Sequence, residues 1–255
     1  VSASDAPARP SVTARVLGLL SGFDEAHPRM SLTELATLAG LPLSTAHRLL
    51  AELEAWDAVE RDEEGQYVVG RRLWQLGTLA PVQRQLRTVA LPAMQDLYEA
   101  THENVHLAVR QGTTALYVER IHGASSVPVA TRVGRPLPLH ATGVGKVLLA
   151  YAPRDVVEAC LVSLAPVTRY TIVERGRMQR ELTGVRRNGY ARSAEEMTLG
   201  TYSVGVPIFA PSGDVVAALG LVTSTVRRDV ARFAPALRVA SATISRNLPA
   251  RGLIT

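Results

Sequence analysis

The amino-acid sequence predicts an α+β protein built as two domains. Three observations predict it. Residues 11–70 carry apolar residues at helical spacing in three successive segments, then two short strand-like runs around a glycine turn. Beyond residue 92 strand-like runs alternate with helical patterns, which reads as an antiparallel sheet carrying helices. Between them, Pro81 and Pro92 divide a connecting region into short helices. The expected boundaries are a disordered lead over residues 1–10, a first domain over 11–70, linker helices over 71–91 and a second domain over 92–255.

The first segment, Ser11–Phe23, places Val12, Val16, Leu19, Leu20 and Phe23 on one helical stripe, with Ser11 available as a cap. Ser31-Leu32-Thr33-Glu34 is an S-x-x-E capping box, which starts a helix by satisfying orphan N–H groups reciprocally. Leu32, Leu35, Ala36 and Ala39 turn inward, and Gly40 ends that helix. Gly40-Leu41-Pro42 separates it from a third helix over Ser44–Ala55, whose inner stripe is Ala46, Leu49, Leu50 and Leu53. Helix, short glycine-containing turn, helix is a helix-turn-helix. Val59–Arg61 and Gln66–Val69 flank the acidic turn Asp62-Glu63-Glu64-Gly65 and form a hairpin, hence a wing. Arg71–Leu76 opens the connecting helix.

In the second domain the strand-like runs are Val105–Val109, Ala115–Arg120, Val127–Val133, Ser203–Phe209 and Val215–Val222. Pro211-Ser212-Gly213-Asp214 is a hairpin turn between the last two. Helical patterns lie around Gly145–Tyr151, Asp155–Leu161, Arg175–Arg187 and Phe233–Asn247. Hydrophobic residues make up 47% and charged residues 20%, a globular balance that argues against a largely disordered chain. No apolar run approaches the ~18 residues of a membrane span, so no membrane partner is expected. The opening VSASDAPARP lacks the apolar stretch of a secretory signal. The single cysteine, Cys160, lies in the apolar run VVEACLVSL; it excludes an internal disulfide, is expected to be buried, and suits a reducing cytoplasm.

A helix that enters the major groove presents short polar or basic side chains on one face near its N-terminus. Ser44, Thr45, His47 and Arg48 fit that requirement; Arg61, Tyr67 and Arg71, on the wing and just after it, complete the expected DNA-contacting set. No acid occurs between Glu34 and Glu52. The charge balance opposes tight binding by one head, however. The net charge of +5 is uneven: residues 1–80 hold seven Arg, no Lys and eleven acids, a net −4, and the remaining residues hold +9. Phosphate-derived affinity scales with the number of cationic contacts, so one head binds weakly. The expectation is a homodimer or dimer of dimers on a near-palindromic double-stranded operator. A metabolite-binding module that uses the helix-turn-helix for protein contacts stays open as an alternative.

LTELATLAGLPLSTAHRLLAELEAWDAVERDEEGQYVVGRRLWQLG closely resembles the helix-turn-helix and wing of the IclR family of regulators. The resemblance continues through THENVHLAV, VGRPLPLHATGVGKVLLA and NGYARSAEEMTLGTYSVGVPIFAPSGDVVAAL, and covers residues 11–248. It implies a GAF-like effector-binding second domain, oligomeric assembly, and regulation, in most members by repression, of a catabolic operon or the regulator's own gene. Two features depart from the pattern: Leu43 stands where members often carry a basic residue, and the wing tip is acidic. By the same resemblance the effector pocket falls on Gly143, Val144, Ser193, Ser203, Gly220 and Val222. Relatives that bind small 2-oxo acids carry an acid at the Ser193 position and hydroxyls at the Gly220 and Val222 positions. Their loss here favours a larger, less polar ligand, an aromatic acid, with Arg132 or His140 as candidate carboxylate partners.

Three other motifs lead nowhere chemically. His102-Glu103-x-x-His106 matches the zincin signature and leaves a metallopeptidase as the reading from another class. The motif needs a helix, and Val105 begins a strand, where residues four apart stand ~13 Å apart, too far for one zinc ion. Gly143-Val144-Gly145-Lys146 lacks the first glycine and the final Ser/Thr of a P-loop, so Lys146 is expected at the surface or stabilising a helix. Glu195-Glu196 has no nucleophile nearby and is expected to be solvated or capping. No catalytic residue, cofactor or metal site is expected.

Overall fold

The computed structural model describes residues 10–24, 27–79, 84–123, 126, 127, 134, 136–224 and 229–249. The chain forms two compact units, residues 1–82 and 83–255.

In the first unit, α1 (Val12–Leu20) is capped by Ser11, whose Oγ accepts the Ala14 N–H at 3.1 Å. α2 (Leu32–Leu38) begins at the capping box: Ser31 Oγ accepts the Glu34 N–H, and the Glu34 carboxylate accepts the Ser31 N–H at 2.8 Å. The hydrogen bonds from Ser31 hold the Glu34 carboxyl below the ordinary glutamate range. Gly40 sits at φ +62°, a conformation that favours glycine, and lets the chain turn into α3 (Leu43–Ala55). β2 (Val59–Arg61) and β3 (Tyr67–Val69) make the predicted wing, and a strand not foreseen, β1 (Arg29–Met30), pairs antiparallel with β3. Two residues are too few to display an alternation. Leu19, Leu35, Ala46, Leu49, Leu50, Val59 and Tyr67 are fully enclosed and form the core. α4 (Arg71–Leu79) follows; its Trp74, Leu76 and Leu79 are exposed.

The second unit opens with α5 (Arg84–Thr101), which runs through Pro92 without the break expected there. Pro92 is exposed, so water can reach the carbonyl that its ring deprives of an N–H. Leu86, Ala90, Ala93, Met94 and Leu97 form a buried stripe on both sides of it. The sheet follows: β4 (Asn104–Gln111), β5 (Thr114–Ile121), β6 (Pro136–Pro138), β7 (Ala191–Ala194), β8 (Thr201–Phe209) and β9 (Val215–Ser224). Their order is β6-β5-β4-β9-β8-β7, with every pairing antiparallel. β6 and β7 were not foreseen, and most of the strand expected over Val127–Val133 lies outside the described residues.

Side-chain alternation divides the sheet into two buried faces. Val105, Leu107 and Val109 of β4, Val204, Val206 and Ile208 of β8, and Ala217, Leu219 and Leu221 of β9 pack with α5 and α9 (Ala234–Asn247). The opposite face packs against α6 (Gly143–Ala150) and, beyond it, α7 (Arg154–Val162) and α8 (Arg175–Asn188). Cys160 is buried there, and burial pushes its thiol up.

Every residue of α6 is buried, Lys146 included at 1% exposure. This overturns the surface position expected for Lys146. Its Nζ donates to Glu196 Oε1 at 2.6 Å, to the Arg192 carbonyl at 3.0 Å and to Glu181 Oε1 at 3.3 Å. Three acceptors thus meet the ammonium's three donors. Glu196 is correspondingly buried, not solvated; burial pushes its carboxyl up, and Lys146 opposes that shift. Glu195 caps no helix; its carboxylate accepts the Gly200 N–H at 2.9 Å within the turn before β8.

Removing one member of a buried pair strands the other charge. Lys146→Met is expected to cost about 3–5 kcal/mol in urea unfolding. Lys146→Met/Glu196→Met is expected to recover most of that loss; equal destabilisation of the single and double variants would refute the pairing argument.

Candidate nucleic-acid interface and small-molecule cavity

α3 starts directly after Pro42 and buries Ala46, Leu49 and Leu50, which leaves Ser44, His47 and Arg48 exposed and Thr45 half-buried. The four predicted reading residues therefore share the outer side of one helix. The electrostatics differ from expectation in one respect. Arg48 Nη1 donates to Glu52 Oε1 at 2.7 Å, one turn along the same helix. Both partners are 62% exposed, so the pair is worth only ~0.2–1 kcal/mol and yields readily to a phosphate or a guanine.

The same pattern recurs on the wing. Arg29 meets Asp62 and Glu64 at 3.3 and 3.5 Å, Arg61 meets Glu54 at 3.4 Å, and Arg71 approaches Glu60 at 3.9 Å. Arg72 lies over the Trp56 ring, 5.4 Å from its centroid. Tyr67, expected on the DNA-facing surface, is fully buried. Its ring completes the head's core, its hydroxyl accepts from Arg61 Nη2, and the Arg61 guanidinium lies over the ring at 4.4 Å. Burial raises the Tyr67 phenol, against the opposing effect of Arg61. A strand as short as β3 has one inward position to offer the core, and the bulkiest residue occupies it.

On the α6 face of the second unit, strand register brings distant residues into two rows. His106 of β4 pairs with Gly220 of β9, which pairs with Gly205 of β8. Val222 of β9 pairs with Ser203 of β8, which pairs with Ser193 of β7. The N-terminus of α6 descends onto these rows. A Cβ at Gly205 would stand 2.8 Å from the backbone of Gly143 and Val144, so the absence of a side chain permits the approach. The Gly143 N–H donates to Ser203 Oγ at 3.1 Å, and Thr142 Oγ1 accepts the Gly145 N–H at 3.0 Å. Ser193 Oγ donates to the Ala141 carbonyl at 2.8 Å.

Between helix and sheet lies a cavity of about 30 Å³. All six positions inferred by resemblance, Gly143, Val144, Ser193, Ser203, Gly220 and Val222, line it. The sequence reading missed His106, Tyr117, Thr142 and the 197–201 segment, which also contribute. The signal for His106 was present: it alternates with Val105 and Leu107, so it faces the side opposite to theirs. Among the described residues that line it, none is charged. The extra room expected from Gly220 is not left open, because Val144 leans into it; a Cβ on Gly220 would stand 2.4 Å from Val144 Cγ1.

Of the two proposed carboxylate partners, His140 does not line the cavity. His140 is buried, and its Nε2 contacts the Ala165 carbonyl at 2.9 Å, so Nε2 carries the hydrogen; burial lowers its basicity. Arg132 lies outside the described residues. Nor does the H-e-x-x-H motif assemble. His102 precedes the strand at φ +54° and packs edge-on against Tyr98, Glu103 accepts from Thr223 Oγ1 at 2.9 Å, and His106 faces the cavity. Among the described residues no cluster of three or more His, Cys, Asp or Glu has metal-binding geometry. No helix among them is long and apolar enough to cross a membrane.

A winged helix-turn-helix followed by an antiparallel-sheet domain with a cavity between helix and sheet defines a two-domain transcriptional regulator. The IclR helix-turn-helix domain matches residues 12–63, and the bacterial transcriptional regulator IclR C-terminal domain matches residues 80–246. The chain is 32% identical to the HTH-type transcriptional regulator XynR of Escherichia coli, covering 92% of this chain and 95% of that one. It is 32% identical to the HTH-type transcriptional regulator KipR of Bacillus subtilis, covering 76% and 78%. An IclR homolog from Microbacterium hydrocarbonoxydans, solved in complex with 4-hydroxybenzoate, superimposes with a TM-score of 0.88 at 31% identity, covering 94% of this chain and 100% of that one. The chain belongs to the IclR family of bacterial transcriptional regulators.

The contact between Val144 and Gly220 makes a sharp stability prediction. Gly220→Ala is expected to lower stability by about 1–3 kcal/mol, the usual range for overpacking. Adding Val144→Ala removes the opposing methyl groups and is expected to restore part of the loss in thermal melts. Additive destabilisation in the double variant would refute the contact.

Proposed function

We propose that this regulator is a homo-oligomeric repressor whose paired heads read a near-palindromic operator and whose cavity takes a small aromatic carboxylate. The observation that carries the reading is the cavity at the N-terminus of α6, lined among the described residues by glycines, hydroxyls and apolar side chains and by no charged group. A helix N-terminus accepts an anion without a cationic side chain. The apolar remainder suits a ring, and the relative bound to 4-hydroxybenzoate supports that class. DNA contacts are assigned to Ser44, Thr45, His47 and Arg48 on α3, with Arg61 and Arg71 flanking.

Small-molecule sites span ~300–1,000 Å³, far above the cavity described here. Ligand uptake therefore requires expansion, and the segment 195–200 between β7 and β8, whose Met197 and Thr198 line the cavity, is the wall assigned to that movement. It is held by discrete bonds: Glu196 to Lys146, and the Glu195 and Glu196 carbonyls accepting from Thr168 and Thr171, each at 2.7 Å. A ligand that favours the expanded state shifts the operator affinity, and DNA shifts the ligand affinity by the same factor. Residues 71–92 connect the two units and are the route for that coupling. α4 exposes Leu76 and Leu79 towards one side and Trp74 towards the other, apolar surface that a second copy of the chain covers.

The DNA test is fluorescence anisotropy on the DNA upstream of the protein's own gene, against random DNA. Arg48→Ala is expected to lose about 1–3 kcal/mol of selective binding. Glu52→Gln frees Arg48 and is expected to tighten binding to both DNAs. Adding 4-hydroxybenzoate is expected to change the operator affinity and leave random DNA unaffected. No preference over random DNA, followed by failure of a genome-wide binding-site selection, would refute the reading. Separately, Trp74→Glu/Leu79→Glu is expected to shift sedimentation towards the monomer; an unchanged assembly would place the interface elsewhere.

A further inference from the structure

His106 is 1% exposed, lines the cavity, and has an Nε2 that finds no hydrogen-bond partner among the described residues. Native structures satisfy nearly all such groups, and each exception calls for a physical reason. The ring is held edge-on to Tyr117, with centroids 5.4 Å apart and planes at 89°, so its orientation is set by packing. Burial, then the charges of Arg120 and His122, push its pKa down to about 3, so the ring is neutral at physiological pH. A neutral imidazole donates through one nitrogen and accepts through the other; it offers no charge to a carboxylate.

The register fixes where this group sits relative to the anion end. Gly205 lies beneath the α6 N-terminus, Gly220 is its neighbour on β9, and His106 is the next neighbour on β4. Two strand spacings, about 10 Å, separate the backbone positions at the two ends. Gly220, midway, carries no side chain, and Val144 fills its place in this structure. A benzene ring with substituents at opposite ends matches the trough that opens when Val144 withdraws, with its carboxylate at the helix and its second substituent at the imidazole.

We propose that His106 is a specificity-determining residue of the effector site, selecting aromatic acids that carry an uncharged hydroxyl opposite the carboxylate. This rests on the aromatic-carboxylate reading above and adds to it the residue that discriminates among such acids. A site built around a hydrogen bond to a ligand hydroxyl rejects the analogue that lacks it, because the buried partner is then left unsatisfied. An apolar substituent of equal size would fill the trough and leave the imidazole nitrogen orphaned.

The test is isothermal titration calorimetry of the full chain with 4-hydroxybenzoate, 4-methylbenzoate and benzoate. The wild type is expected to bind 4-hydroxybenzoate about tenfold or more tighter than 4-methylbenzoate, the factor of one buried hydrogen bond. In His106→Phe that ratio is expected to fall to near one or to invert. In His106→Gln, which keeps a donor and an acceptor, part of the preference is expected to remain, and this variant decides the matter if the phenylalanine variant does not fold. Because the readout is a ratio within each variant, a general loss of stability does not mimic it. An undiminished preference in the folded variants, or no preference in the wild type, would overturn the inference while leaving the aromatic-acid reading intact. A wild type that binds none of the three acids would overturn both.

Discussion

The buried Lys146 ammonium is the interaction on which the effector domain depends. A charge at 1% exposure survives only if its donors are satisfied, and here three structural neighbours satisfy them: α8 through Glu181, the end of β7 through the Arg192 carbonyl, and the β7–β8 segment through Glu196. These anchors fix the position of α6, and the N-terminus of α6 forms one wall of the cavity. The same ammonium holds the segment that forms another wall. One buried ammonium thus ties together α6, which supplies one wall of the cavity, and the β7–β8 segment, which supplies another.

The cavity also depends on what the sheet leaves out. Gly205 and Gly220 stand side by side on β8 and β9, and each omitted side chain has a definite use. The first lets the α6 backbone settle at van der Waals distance, and the second receives Val144. The result is a small cavity with no charged side chain among its described lining residues, and on the reading proposed above binding is tied to its expansion. That tie is what a ligand-responsive switch requires, since a ligand shifts an equilibrium only through differential affinity for its two states.

The reading head follows a different economy. Its described arginines at positions 29, 48, 61 and 71 each lie against a carboxylate of the same unit. Exposed pairs of this kind are individually weak and exchange easily, so the head meets DNA by trading partners. This limits the phosphate-derived affinity of a single head, in keeping with the negative balance of residues 1–80.

Much of the fold was legible locally. The capping box at Ser31, the stripe on α3 and the alternation in β4, β8 and β9 are short-range patterns set by backbone periodicity, and each element formed at or near the expected residues. The pocket positions were accessible only through resemblance, because residues at 143, 193, 203 and 220 share no local pattern. Three expectations failed for one reason: the local sequence does not state what lies across the core. Pro92 was tolerated because the buried stripe of α5 continues past it, Tyr67 was drawn inward by a core short of bulk, and Lys146 was buried because two glutamates and a carbonyl were waiting. By itself the sequence determined the longer elements, their order and the outward face of α3, since these follow from spacing along one chain segment. Only the tertiary structure decided that His106 faces a cavity and that Lys146 holds the cavity's walls, since both depend on strand register and on partners up to 114 residues away.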